Sequence, residues 1–105
     1  MNGASVTVES EGRSRRFAIA GEIDLVNAAE VEAAMIEGIS NQVSDVVIDL
    51  SAVEYIDSSG MRILFSLAGK LKTLQVRLVV ESPVGSPARR VVELSGMAAL
   101  VVLEP

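Results

Sequence analysis

The stretch Asp-Ser-Ser-Gly at residues 57–60 constrains the fold most, because it separates a strand-like segment from a helix-like one. Residues 46–50 form a short, apolar and largely β-branched run, which is typical of a strand covered on both faces. From residue 61 to residue 74, apolar residues recur at helical spacing. Because Asp and Ser both cap helices through side-chain oxygens, the pattern predicts a strand, a capped turn and an amphipathic helix over 59–74.

The two serines and the glycine at this helix start have two interpretations. The simpler one is a helix cap and nothing more. However, one hydroxyl suffices as a cap, and Gly60 costs about 1 kcal/mol relative to alanine inside a helix. Free first-turn amides and the helix dipole also favour a phosphate at this position. The sharper interpretation is therefore a site at which something approaches the backbone closely.

The rest of the chain alternates between strand and helix patterns. An Asn at residue 27 followed by Glu30 resembles a capping box for the first helix. These patterns predict one α/β domain over residues 1–105, with residues 1–4 flexible. Its sheet is mixed and mainly parallel, with about five strands including an N-terminal hairpin, and three or four helices pack on it. The other predicted elements are strands at 5–9, 16–20, 76–80 and 99–103, and helices at 28–39 and from 86 to just before 96.

Composition excludes several classes of function. The chain has no Cys and no His, which removes disulfides, thiol catalysis and Ser-His-Asp triads. A net charge of −5 disfavours nucleic-acid binding. Lys70 and Lys72 lie about 15 Å along the predicted helix from the serines, too far to activate them. We expect no enzyme activity, no metal and no cofactor. No segment predicts a signal peptide or a membrane span, so we expect a cytoplasmic protein.

Residues 49–60 resemble the signature of STAS domains, the family of bacterial anti-sigma factor antagonists. Gly-Glu-Ile-Asp at 21–24 is similar to the Gly-Glu-Leu-Asp of that family. Ser-Pro-Ala at 86–88 and Leu-Ser-Gly-Met at 94–97 are similar to its later motifs. The matches keep their order over about residues 17–103. The link at 81–86 looks longer than usual, and Thr-Leu-Gln at 73–75 replaces a glycine often found there.

The resemblance implies a regulator in partner switching. An anti-sigma factor that is also a serine kinase would bind the unphosphorylated form and release its sigma factor. That kinase, supplying ATP, would phosphorylate Ser59, with Ser58 as runner-up and otherwise a structural or capping hydroxyl. A phosphatase would restore binding. The surroundings of the site would include Asp24, Asp57 and Gly60, and the regulator would be a monomer or weak dimer.

A partner-binding surface is predicted on the first turns of the serine helix, from Met61, Arg62 and Phe65. For Met61 and Phe65, core filling is the alternative, and the later Arg89–Arg90 helix is the second choice of surface. Two other functions remain open. One is a non-catalytic STAS scaffold or regulatory domain, from a stress-signalling assembly or a transporter; the other is an unrelated structural or ligand-binding domain. Asp24, Asp49 and Asp57 could also suggest a magnesium or receiver site, but no lysine can be placed beside them.

Overall fold

The computed structural model describes residues 3–105, which form five strands and three α-helices around one core. This arrangement confirms the predicted mixed α/β domain. Met1 and Asn2, half of the segment expected to be flexible, lie outside the described residues. In chain order the elements are β1 (Ala4–Glu11), β2 (Ser14–Ile23), α1 (Ala28–Glu37), β3 (Asp45–Ile56), α2 (Ser58–Thr73), β4 (Arg77–Glu81), α3 (Pro87–Ser95), the 3₁₀ turn Met97–Ala99 and β5 (Val102–Glu104).

The sheet keeps the strands in sequence order, β1-β2-β3-β4-β5. β1 and β2 form an antiparallel hairpin, and each later pair of neighbours is parallel. Because parallel crossovers are right-handed and the sheet grows in one direction, the three helices cover the same face. Their buried side chains accordingly belong to one hydrophobic cluster. None of the helices in the described chain is long and apolar enough to cross a membrane.

The core is aliphatic around a single buried aromatic ring. Alternate residues of β2 and β3 point toward the helices, so Phe17, Ile19, Ile48 and Leu50 are fully buried. From α2, side chains at helical spacing meet them, and the buried members are Leu64, Leu67 and Leu71. This packing fixes the start of α2 at the carboxyl end of β3.

The opposite face of the sheet carries an ion-pair network. Arg16 of β2 donates to Asp49 of β3 at 3.0 Å and also to Glu81 of β4. Burial alone would raise the pKa of the Asp49 carboxyl, but hydrogen bonds from Ser51 and Arg16 outweigh that effect and lower its pKa. Asp49 is therefore held ionised on a face remote from the serines. It cannot form a shared acidic site with Asp24 and Asp57.

Several predicted boundaries differ from the structure. α1 ends at Glu37 instead of residue 39. The predicted capping box of Asn27 and Glu30 is wrong, because the Asn27 side chain makes no capping hydrogen bond to the helix. The Asn27 side chain instead donates to the Glu22 carbonyl at 2.7 Å and accepts from the Asp24 amide at 3.0 Å. β3 continues to Ile56, well beyond the predicted end at residue 50. The prediction ended the strand too early because exposed residues follow the apolar run of 46–50. β3 nevertheless pairs with β2 as far as Ile56.

Candidate functional site

The start of α2 is capped by Asp57, which has an extended backbone with φ −102° and ψ −172°. Its Oδ1 accepts hydrogen bonds from the Ser59 amide at 2.9 Å and the Gly60 amide at 3.0 Å. Ser58 was predicted to be a structural or capping hydroxyl, and the capping role is wrong because the Asp57 carboxylate provides the cap. The expectation of free first-turn amides for a phosphate also fails at these two positions, because the carboxylate already occupies them.

The second oxygen of Asp57 joins this helix start to the loop between β2 and α1. Oδ2 accepts from the Leu25 amide at 3.3 Å. Within the loop, Asp24 Oδ1 accepts from the Val26 amide at 2.9 Å and the Asn27 amide at 3.3 Å. The structure thus brings the predicted residues Asp24 and Asp57 to the same place. Side-chain acceptors and the Asp24 carbonyl, which accepts from the Asn27 and Ala28 amides, hold this loop, although Leu25 and Val26 are exposed.

The two serines differ in exposure. Ser58 is exposed, whereas Ser59 is half-buried. Among residues 3–105, neither hydroxyl has a hydrogen-bond partner, so both are free to react with or bind another molecule. The two hydroxyls therefore differ in solvent exposure and not in hydrogen bonding.

Gly60 has a structural explanation. A Cβ at this position would lie 2.6 Å from Cγ1 of Ile56 and 2.9 Å from Cγ2 of Ile23. Contacts this short do not occur between real carbon atoms, so only glycine allows α2 to start so close to the ends of β2 and β3. The predicted close approach is thus made by the sheet of the domain itself, in place of an external molecule.

A shallow groove of about 440 Å³ runs beside Ser58, between the first turns of α2 and the helix α3. Met61 is only 6% exposed, so it mainly fills the core and contributes one wall of the groove. Phe65 is half-buried and Arg62 is exposed. The predicted partner residues therefore share one surface, although Met61 offers little of it. Lining residues of the groove are Ile56, Asp57, Ser58, Met61, Arg62, Phe65, Val91, Leu94 and Ser95.

Two apolar groups near Ser58 were missed by the sequence reasoning. Leu94 of α3 is 76% exposed and borders the groove. On the other side of Asp57, Leu25 is 78% and Val26 is 83% exposed. The sequence did contain signals for both groups. Leu25 and Val26 are an apolar pair inside a predicted loop, and Leu94 is an apolar residue outside the buried face of a short helix. We call Leu25, Val26, Leu94 and the groove the serine-side surface.

Arg89, named as an alternative surface residue, is engaged within the domain. It donates to Glu93 at 3.1 Å and to the Ser82 carbonyl at 2.9 Å. Arg90 is exposed. In the described part of the chain, no group of three or more His, Cys, Asp or Glu residues is placed to hold a metal ion. The serine-side surface is largely apolar, with Arg62 in the groove and the carboxylates of Asp24 and Asp57 at its edge, a composition suited to protein binding.

The family model described as the STAS domain matches residues 5–105. The anti-sigma-F factor antagonist RsfB of Mycobacterium tuberculosis is 36% identical over 94 residues, which are 89% of this chain and 75% of that protein. The crystal structure of an anti-sigma factor antagonist from Mycobacterium paratuberculosis has a TM-score of 0.87 at 31% identity, covering 98% of this chain and 86% of that one. The unphosphorylated form of the antagonist SpoIIAA has a TM-score of 0.77 at 18% identity, with coverage of 96% and 89%, and supports the fold alone.

Proposed function

The chain belongs to the STAS domain family, and we propose on that basis that it is an anti-sigma factor antagonist. It would bind an anti-sigma factor and so release a sigma factor. The observation that carries the proposal is a free, exposed Ser58 beside the serine-side surface, in a chain 36% identical to a named antagonist.

The serine-side surface has the composition of a protein interface. Leu25, Val26 and Leu94 are exposed apolar side chains that lose water contact only when a partner covers them. Leu25 and Val26 stand on a loop already held by Asp24 and Asp57, so little ordering entropy is lost on binding. These side chains are the expected anchors, and the groove receives a complementary side chain of the partner.

Phosphorylation by the partner kinase would switch this binding off. Motif position predicted Ser59 as the acceptor, but exposure favours Ser58, which reaches solvent at the groove. A phosphate adds about −1.5 to −2 charge at pH 7. It would stand next to the Asp57 carboxylate and at the mouth of an apolar groove, where an unpaired charge is costly to bury. A loss of about 3–4 kcal/mol in binding corresponds to two to three decades of affinity.

The remaining parts of the proposal follow from this role. The chain would carry no catalytic group or cofactor of its own, and the partner kinase would bring ATP. A phosphoserine phosphatase would reverse the modification. Because transcription takes place in the cytoplasm of bacteria, the chain would act there.

The test is phosphorylation in vitro with a cognate anti-sigma kinase and ATP, followed by mass spectrometry. We expect one phosphate on the wild type, none on Ser58→Ala, and normal labelling of Ser59→Ala. Ser66→Ala, on the exposed side of α2, is the matched control and should be labelled normally. Unphosphorylated Ser58→Ala should still bind the partner.

Two results would count against this scheme. Labelling that persists in Ser58→Ala and vanishes in Ser59→Ala would return the site to the residue predicted from the motif. A chain that neither binds nor is labelled by any anti-sigma kinase of its source would refute the antagonist function, and would favour a STAS scaffold.

A further inference from the structure

β1 is the outer strand of the sheet, and among residues 3–105 no other strand pairs with its second edge. It is eight residues long and pairs with β2 in one continuous register. Natural proteins protect such edges with charged side chains, proline, bulges or short strands. β1 contains no proline, lysine or bulge, and its charged residues, Glu9 and Glu11, both lie in its C-terminal half. The other edge strand, β5, is protected by its length of three residues.

The hydrogen-bonding groups of β1 alternate between β2 and the open edge. The Glu22 amide donates to the Gly3 carbonyl at 3.2 Å, so odd-numbered residues of this segment point their backbone groups toward β2. The even-numbered residues turn their amides and carbonyls to the open edge. These residues are Ala4, Val6, Val8 and Ser10.

A groove with both apolar and polar lining residues follows the same edge on the helix side of the sheet. It has a volume of about 200 Å³ and lies between β1 and α1. Val8 lies on the same face of β1 as Val6, next to this groove, and is 43% exposed. A further strand added to this edge would cover both features. Lining residues are Ala4, Val6, Asn27, Glu30, Val31 and Ala34.

We propose that β1 pairs antiparallel with β1 of a second copy of this chain, centred on Thr7. In this register Thr7 faces its own copy, and Val6 faces Val8. Glu9 then faces Ser5, and Glu11 faces Gly3, so no like charges stand opposite each other. The strand is thus complementary to itself under a two-fold axis perpendicular to the sheet, which is the argument for a second copy as the occupant.

The dimer would have one continuous sheet of two five-stranded halves, with all helices on one side. The groove beside Ser58 lies between α2 and α3, whereas β1 packs beside α1, and the two grooves share no lining residue. The dimer would therefore leave this groove open in both copies and present two free copies of Ser58. This inference does not depend on the antagonist function.

The first test is the molar mass in solution by light scattering. We expect the mass of the wild type to rise toward twice the 11.1 kDa of the monomer between micromolar and millimolar concentration. Val8→Lys places charges beside Val6 of the other copy and should raise the dissociation constant at least about tenfold. Val102→Lys is the matched control, since Val102 is a 41% exposed valine on the opposite edge strand, and it should dimerise like the wild type.

The second test is a cysteine cross-link, because the chain has no native cysteine. Thr7→Cys should form a disulfide-linked dimer under mild oxidation, since facing residues at a non-hydrogen-bonded antiparallel pair lie closest. Ser66→Cys, exposed on α2, should not. A monomeric mass over the whole concentration range would overturn the proposal. Cross-linking of Ser66→Cys as fast as Thr7→Cys, or an unchanged dissociation constant in a folded Val8→Lys, would also overturn it.

Discussion

Replacing Gly60 by alanine should destabilise the domain, although alanine is the best helix former. A Cβ at position 60 would come within 2.6 Å of Ile56 Cγ1, 2.9 Å of Ile23 Cγ2 and 3.2 Å of Ile23 Cβ. The Cβ of Ile23 cannot rotate away, because it is fixed to the backbone of β2. The added methyl therefore forces either α2 or the ends of β2 and β3 to move.

The magnitude is a difference between two effects. An extra methyl in a packed region costs about 1–3 kcal/mol, and replacing a helical glycine by alanine recovers about 1 kcal/mol. Because contacts on two isoleucines put this case at the upper end of the range, we expect a net loss of about 1–2 kcal/mol in the free energy of unfolding. For a domain of this size, 1 kcal/mol shifts Tm by about 4–8 °C.

Gly69→Ala provides the matched control. Gly69 lies in the same helix, and a Cβ there would meet nothing within 4 Å. This variant should gain up to about 1 kcal/mol, with the opposite sign to Gly60→Ala. Urea and thermal unfolding followed by circular dichroism would measure both. If Gly60→Ala gained stability as Gly69→Ala does, the packing explanation would be refuted, and the glycine would again require an external molecule close to the backbone.

Asp49→Asn should lower stability at about pH 7, and the deficit should shrink on acidification. Folding lowers the pKa of Asp49, so the ionised carboxylate stabilises the folded state fully above the unfolded pKa of about 3.9. This stabilisation is lost as the pH falls through the folded pKa. Urea unfolding at about pH 7 and about pH 3 measures the effect, and an equal stability deficit at both would contradict it. Arg62→Glu should weaken binding to the anti-sigma partner with Tm nearly unchanged, because Arg62 is exposed at the groove. Lys70→Glu, toward the other end of α2, is the control in a binding titration and should bind like the wild type. If Arg62→Glu bound with the same affinity as the wild type, the interface would have to lie elsewhere, with Arg90 as the next candidate.

The strand, turn and helix around residues 57–60 were predictable, because local signals agree there: an apolar run, a capping residue and helical periodicity. The reason for Gly60 was not, since it depends on Ile23, far away in sequence. Likewise, the pattern could not tell that Leu25 and Val26 stay in water while other aliphatic residues are buried. Exposure of an apolar side chain is decided by tertiary packing and by partners.

The missing glycine after α2 illustrates the same limit. The sequence has Thr-Leu-Gln at 73–75, which looked like a departure from the family. In the structure Gln75 adopts a left-handed φ of 60°, and the Val76 amide donates to the Leu71 carbonyl at 2.8 Å. This is the usual glycine-type helix end made with another residue. The helix therefore ends in a left-handed residue although no glycine is present, and only the backbone reveals it.

The position of Asp57 decides how a phosphate at Ser58 would act. One oxygen of its carboxylate already accepts hydrogen bonds from the amides of Ser59 and Gly60, and the other accepts from the Leu25 amide. The positive end of the α2 dipole is therefore already compensated in the unmodified protein. A phosphate on Ser58 would gain little from the helix and would meet a fixed negative charge. On the proposed function, the modification thus acts on the exposed surface that the partner must cover, and the fold beneath it stays unchanged.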